Sequence, residues 1–197
     1  MNKYMGTRTV RVPGIVPGIV ILIFICAGCA GLASWSELKE GEYYDRPREF
    51  RAVVPSNWMK LNHGEHFLIT RDGVALNQIV VSRHLLSEDL AFTKKKFTND
   101  MPPQDLAEVE IGDIHSNPNV SKVDVLENTP LLISGHPGFR MVYQYKTKAG
   151  LKVKGIRAGC LSGDHVYRII YEAPLQHYFP ATELAFEQFF TSFKIVN

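Results

Sequence analysis

Hydrophobic and polar positions divide this chain into three zones. No charged residue occurs from Val12 to Ser36, and that stretch holds the apolar run Ile19–Ile25. Residues 30–48 mix Gly, Ser and charge without a sustained period, which predicts a tether. From Glu49 onward the pattern becomes regular. Phe50, Ala52 and Val54 share one parity and predict a strand over 49–54. Phe67–Ile69 and Asn77–His84 predict two more, separated by the turn Arg71-Asp72-Gly73. Ser87-Glu88-Asp89 has the makings of a helix start, and Leu90, Phe97 and Met101 follow at rough helical spacing. Pro102-Pro103 interrupts and opens a second helix, with Leu106, Val109 or Glu110, and Ile114 on one side. Three strands come next: Val120–Leu126, the alternating Phe139–Lys146, and Leu151–Leu161 beyond the turn Ala149-Gly150. The apolar parity changes after Gly155, which predicts a bulge there. His165–Glu172 predicts a further strand. The last helix follows Pro180, with Leu184, Phe186, Phe189 and Phe190 as its core face. The order of elements is that of an α+β domain over 49–197, built on an antiparallel meander.

Composition changes this picture little, and charge changes it once. The chain has 197 residues, 45% apolar and 21% charged, with a formal net charge of +2. That balance excludes a disordered chain and gives no support to nucleic-acid binding. Three of the 22 basic residues and none of the 20 acidic ones precede Cys29, so the remainder carries 19 against 20, a formal −1. Lys3, Arg8 and Arg11 ahead of the apolar run form the pattern of a secretory signal. Ile25-Cys26-Ala27-Gly28-Cys29 resembles the lipobox of bacterial lipoproteins, with Cys26 where leucine is commonest. The resemblance implies a signal peptide over 1–28, diacylation of Cys29, and a tether over 29–48. It also implies a protein of the bacterial cell envelope, anchored to the membrane and facing the periplasm. Ala30 and Gly31 lack the acid linked to inner-membrane retention in some enteric bacteria, which leans toward the outer membrane. An uncleaved transmembrane anchor and a plain cleaved signal remain the alternatives. Cys160 is then the one free thiol of the exported domain, and its strand setting reads as a buried small hydrophobe.

A second resemblance covers residues 47–196. Its pieces are Phe50 with Pro55-Ser56-Asn57-Trp58, Ile133-Ser134-Gly135-His136-Pro137-Gly138-Phe139, Tyr171-Glu172-Ala173-Pro174, and Phe186-Glu187 with Ser192-Phe193-Lys194-Ile195. In order and spacing they resemble the PsbP-like family. This implies a central antiparallel β-sheet flanked by helices on both faces, an α/β/α sandwich. The family is mostly non-enzymatic, so the resemblance implies binding or assembly with a protein partner and no cofactor.

Candidate chemistry is sparse. His63, Glu65 and His66 form the tightest cluster of metal-type ligands, but Gly64 and a turn context oppose the helical zinc motif, and a solvated loop is the plainer reading. There is no Gly-x-Ser-x-Gly elbow around Ser134, no phosphate loop and no dinucleotide fingerprint. Lys94, Lys95 and Lys96 make the densest basic run, either a solvated helix face or an attraction for anionic headgroups or an acidic partner. Tyr143, Tyr145, Tyr167 and Tyr171 lie on neighbouring strands. Facing outward they would build an aromatic recognition surface; facing inward they would line the core. Lys94–Lys96 with Tyr143 and Tyr145 are the candidate partner surface. The expected function is non-enzymatic protein binding or assembly, and the alternative is small-ligand or metal binding.

Overall fold

Pro103 occupies the first turn of a helix, where its missing N–H would have no intrahelical partner anyway, and α1 runs Pro103–Ser116. The computed structural model describes residues 34–196, so the signal, the lipobox and Cys29 lie outside the described residues. No helix among the described residues is long and apolar enough to cross a membrane.

The elements in order are β1 (Trp35–Glu37), β2 (Gly41–Asp45), β3 (Phe50–Val54), β4 (Met59–Leu61), β5 (Phe67–Thr70), β6 (Gln78–Leu85), α1, β7 (Val120–Ile133), β8 (His136–Thr147), β9 (Lys152–Ser162), β10 (His165–Pro174), α2 (Tyr178–Ser192) and β11 (Lys194–Ile195). Eight strands form an antiparallel sheet in the order β1-β4-β5-β6-β10-β9-β8-β7. A three-stranded sheet, β11-β3-β2, is separate from it.

Two apolar clusters hold these layers. One joins Phe186 and Phe189 of α2, Phe50 of β3 and Trp58 to Ile156, Ala158, Ile169 and Tyr171 of the large sheet. The other joins Leu106, Val109 and Ile114 of α1 to Phe139, Met141, Tyr143 and Val166. The helix α1 contacts β7, β8 and β9, whereas α2 contacts β3 and β10.

Several expectations need correction. The segment read as a tether carries β1, paired with β4, and β2, paired with β3. Tyr43 turns inward against Phe67 while Glu42 and Tyr44 face out, so a two-residue period was present but too short to register. The helix expected from Ser87 to Met101 is absent: 86–102 is irregular. The backbone N–H groups of Phe92 and Thr93 donate to Asp113 of α1 (2.8 and 3.2 Å), and Phe97 is drawn into the second cluster, so tertiary partners replace helical ones. Gly155 makes no bulge; the pairing of β9 is in register on both sides. Its parity change arises because Gly155–Cys160 is buried at both parities. The bulges lie in β7 instead. Leu184 points to solvent at 72% exposure, while Phe186 and Phe189 are fully buried.

Candidate functional site

The most charged part of the interior starts from α1. The period that buries Leu106, Val109 and Ile114 also buries Glu110 completely. Its carboxylate meets two strand arginines: Arg157 Nη1 of β9 donates to Oε2 at 2.7 Å, and Arg168 Nε of β10 lies 2.8 Å from Oε1. The second contact is an ion pair without hydrogen-bond alignment. Burial opposes the Arg157 cation, but Tyr143, Glu110 and Glu172 outweigh it and hold its pKa up. Removing one partner from such a buried pair costs about 3–5 kcal/mol, because the other charge is left stranded.

The group extends through Tyr143. Its ring lies beneath the Arg157 guanidinium, 5.7 Å from the centroid, and its hydroxyl donates to Glu172 Oε1 at 2.6 Å. Burial and then the Glu172 carboxylate push the Tyr143 pKa well up, so the phenol stays protonated and donates. Tyr143 is therefore not a surface residue, and its place in the expected partner surface is overturned. It is wholly buried among the second apolar cluster.

Arg168 also lines a cavity of about 190 Å³ with His66, His84 and Phe97. The two imidazole rings are 5.2 Å apart, and His84 Nδ1 is 2.9 Å from Glu88 Oε2. Burial, then the neighbouring His84, holds the His66 pKa below the usual imidazole value. His63, Glu65 and His66, the candidate ligands, do not come together: among the described residues no three His, Cys, Asp or Glu side chains are placed to hold an ion. His63 is exposed, and His66 is paired with His84 from another strand instead.

Lys94–Lys96 sit on the irregular 86–102 segment, not on a helix face. Lys96 Nζ pairs with Asp89 at 3.1 Å and donates to the Ser87 carbonyl at 3.0 Å. The structure brings Tyr145 to a different basic group. It lines a cavity of about 260 Å³ with Lys122, Lys146, Lys152, Gln144 and Asp124. Lys146 and Lys152 stand directly opposite across β8 and β9. Like charges in that position destabilise a sheet. Lys122 sits in the bulged part of β7 with φ 52°, a left-handed conformation unusual for a long side chain. Among the described residues none of these three lysines is in an ion pair.

Sequence reasoning missed Glu110 as half of an ion pair, along with Arg157, Arg168 and His84. A signal existed: Glu110 shared the buried side of the predicted helix, and each arginine sits between apolar or small neighbours, Ile156 and Ala158 for Arg157, Tyr167 and Ile169 for Arg168. Ser134 serves the fold, its hydroxyl accepting the N–H of Ile195 at 2.9 Å. Cys160 is buried, and burial pushes its thiol up to about 12, which keeps it protonated and inert.

The sequence matches no protein-family model and no curated protein. The fold does have solved relatives. The Ran-binding protein Mog1p of Saccharomyces cerevisiae superposes with a TM-score of 0.57 at 12% identity, over 82% of this chain and 97% of that one. Cyanobacterial PsbP (CyanoP) from Synechocystis sp. gives 0.54 at 11% identity, over 85% and 96%. LpqN, involved in cell envelope biogenesis of Mycobacterium tuberculosis, gives 0.50 at 13% identity, over 81% and 91%. The fold is therefore PsbP/Mog1-like, as the sequence resemblance implied. Likeness at these identities is a likeness of fold.

Proposed function

We propose that this protein is a membrane-anchored lipoprotein of the bacterial cell envelope, facing the periplasm, that acts as a non-enzymatic protein-binding or assembly factor. The reading takes the anchor from Cys29 and its lipobox, and the outer membrane from Ala30 and Gly31. Two fold relatives are compatible with it: Mog1p is a Ran-binding protein, and LpqN is involved in cell envelope biogenesis. We further infer an α/β/α arrangement. Phe139, Met141 and Tyr143 of β8 join the α1 cluster, while Val142, of the other parity, joins the cluster that holds α2.

The observation that carries the reading is the lysine corner at Tyr145. Lys146 faces Lys152 across the pair, and Lys122 is re-aimed by a bulge. Holding like charges together opposes stability, so the arrangement makes sense as a surface for an acidic partner. The corner is at the β7 edge of the large sheet.

Two measurements test this. A photo-crosslinking residue replacing Lys148 in the full chain, expressed in its native host, is expected to give one discrete protein adduct. The paired change Lys146→Glu and Lys152→Glu should abolish it, and the same crosslinker at exposed Leu184 should give none. An adduct that ignores the charge reversal overturns the partner surface. Separately, acyl mass on the mature chain should disappear in Cys29→Ala; its persistence overturns the anchor.

A further inference from the structure

The cavity beside Arg168 lies where β5, β6 and β10 meet the irregular segment after β6. Its polar lining is His66, His84 and Arg168 with the carboxylates of Glu65, Glu88 and Asp89, and its apolar lining includes Leu90, Phe97 and Val166. His66 Nδ1 is buried without a hydrogen-bond partner among the described residues, whereas Arg168 Nε faces Glu110 Oε1 at 2.8 Å. Buried polar atoms without partners are uncommon in native proteins and destabilise the state that contains them. Here one belongs to a residue lining a partly open cavity that Arg168 also borders. That space, about 190 Å³, has room for on the order of six water molecules.

The chemistry of the lining narrows the ligand. Arg168 is the cation within the cavity, and Glu110 already engages one side of its guanidinium. The remaining N–H groups match a planar oxyanion in shape and charge. A dianion is disfavoured, because Glu65, Glu88 and Asp89 also border the space at exposed positions. Glu88 is held by His84 within the same lining, and Asp89 is paired with Lys96. A cationic ligand would meet Arg168. The apolar side requires an alkyl group.

We propose that this cavity binds the carboxylate of a small aliphatic acid. Its oxygens take the free N–H groups of Arg168, His66 supplies a second polar contact, and the alkyl part packs on Leu90, Phe97 and Val166. The site is independent of the lysine corner, and the same carboxylate chemistry could be offered by a free acid or by an apolar chain terminus.

The test uses the full chain in detergent, with the imidazole resonances of His66 and His84 followed by NMR. Titration with isovalerate should shift them saturably, whereas isobutylamine and inorganic phosphate should not. A short peptide ending in valine, with its C-terminus free or amidated, separates the two sources: binding of the free form alone places a chain terminus in the site. Arg168→Gln should weaken isovalerate binding at least about tenfold, the loss expected for a charge-assisted pair. Because Arg168 also touches Glu110, a second variant is needed. Ala91→Phe, at an exposed lining position, should block binding while leaving thermal melting unchanged. Absence of a saturable shift through tens of millimolar isovalerate overturns the proposal. So does equal binding by phosphate, or wild-type affinity in a folded Ala91→Phe protein.

Discussion

At the scale of single residues, Gly155 shows how packing dictates identity. A Cβ at this position would fall 2.5 Å from Tyr143 Cζ and 2.7 Å from its hydroxyl. The ring cannot yield easily: it is fully buried, and its hydroxyl is held by Glu172, which pairs with Gly155 across β9 and β10. Gly155→Ala is expected to cost about 1–3 kcal/mol, the usual range for overfilling a packed interior. Urea unfolding should show this as a lower midpoint with an unchanged slope. The sequence marked Gly155 as special through the parity change, but assigned it to a bulge. The partner that needs the space lies twelve residues earlier in the chain and is adjacent only because β8 pairs with β9.

At the scale of elements, α2 separates packing from pattern. Leu184 and Phe189 both belonged to the predicted apolar face. Phe189 lies 6.0 Å from Phe67 and 6.4 Å from Phe50, ring to ring, inside the core, whereas Leu184 is exposed. Phe189→Ala should therefore destabilise by about 3–5 kcal/mol. Leu184→Ala should change stability by no more than about 0.5 kcal/mol. Equal effects in chemical denaturation would contradict the orientation of the helix. The lost helix over 87–101 teaches the complementary lesson. Its capping residues and apolar spacing were sound locally, yet Asp113 takes the N–H groups of Phe92 and Thr93. A buried carboxylate on α1 competes for the same donors that a helix would satisfy internally.

At the scale of the whole molecule, the grouping of His66 with His84, Arg168 and Arg48 sets a response to pH. Burial and the neighbouring His84 favour the neutral form of His66; Arg168 and Arg48 act in the same direction, and Glu65 opposes them. The folded state thus resists a proton that the unfolded chain accepts at about pH 6.5. This contribution to stability is complete above that pH and is lost as pH falls through it toward the lower folded value. Between about pH 8 and pH 5 the melting temperature should decline less steeply in His66→Gln than in the wild type. A parallel decline in both proteins would remove His66 from the account. The same grouping explains why the site was hard to read in the chain. His66, His84, Glu110 and Arg168 come from β5's approach, β6, α1 and β10, so no local spacing joins them.

Sequence alone determined what depends on neighbours in the chain. Strand alternation in 139–146 and 165–172, the Pro102-Pro103 helix start, the turn at Ala149-Gly150 and the order of an α+β meander all express local sterics and short periods. The proposed export signal around Cys29 is likewise read from contiguous residues. Tertiary structure decided what depends on distant partners. It drew Trp35–Asp45 into two sheets, buried Tyr143, set Glu110 between two arginines, and brought Tyr145 beside Lys122, Lys146 and Lys152. The physical reason is that desolvation and ion pairing act through space, and their cost is set by which strands become adjacent.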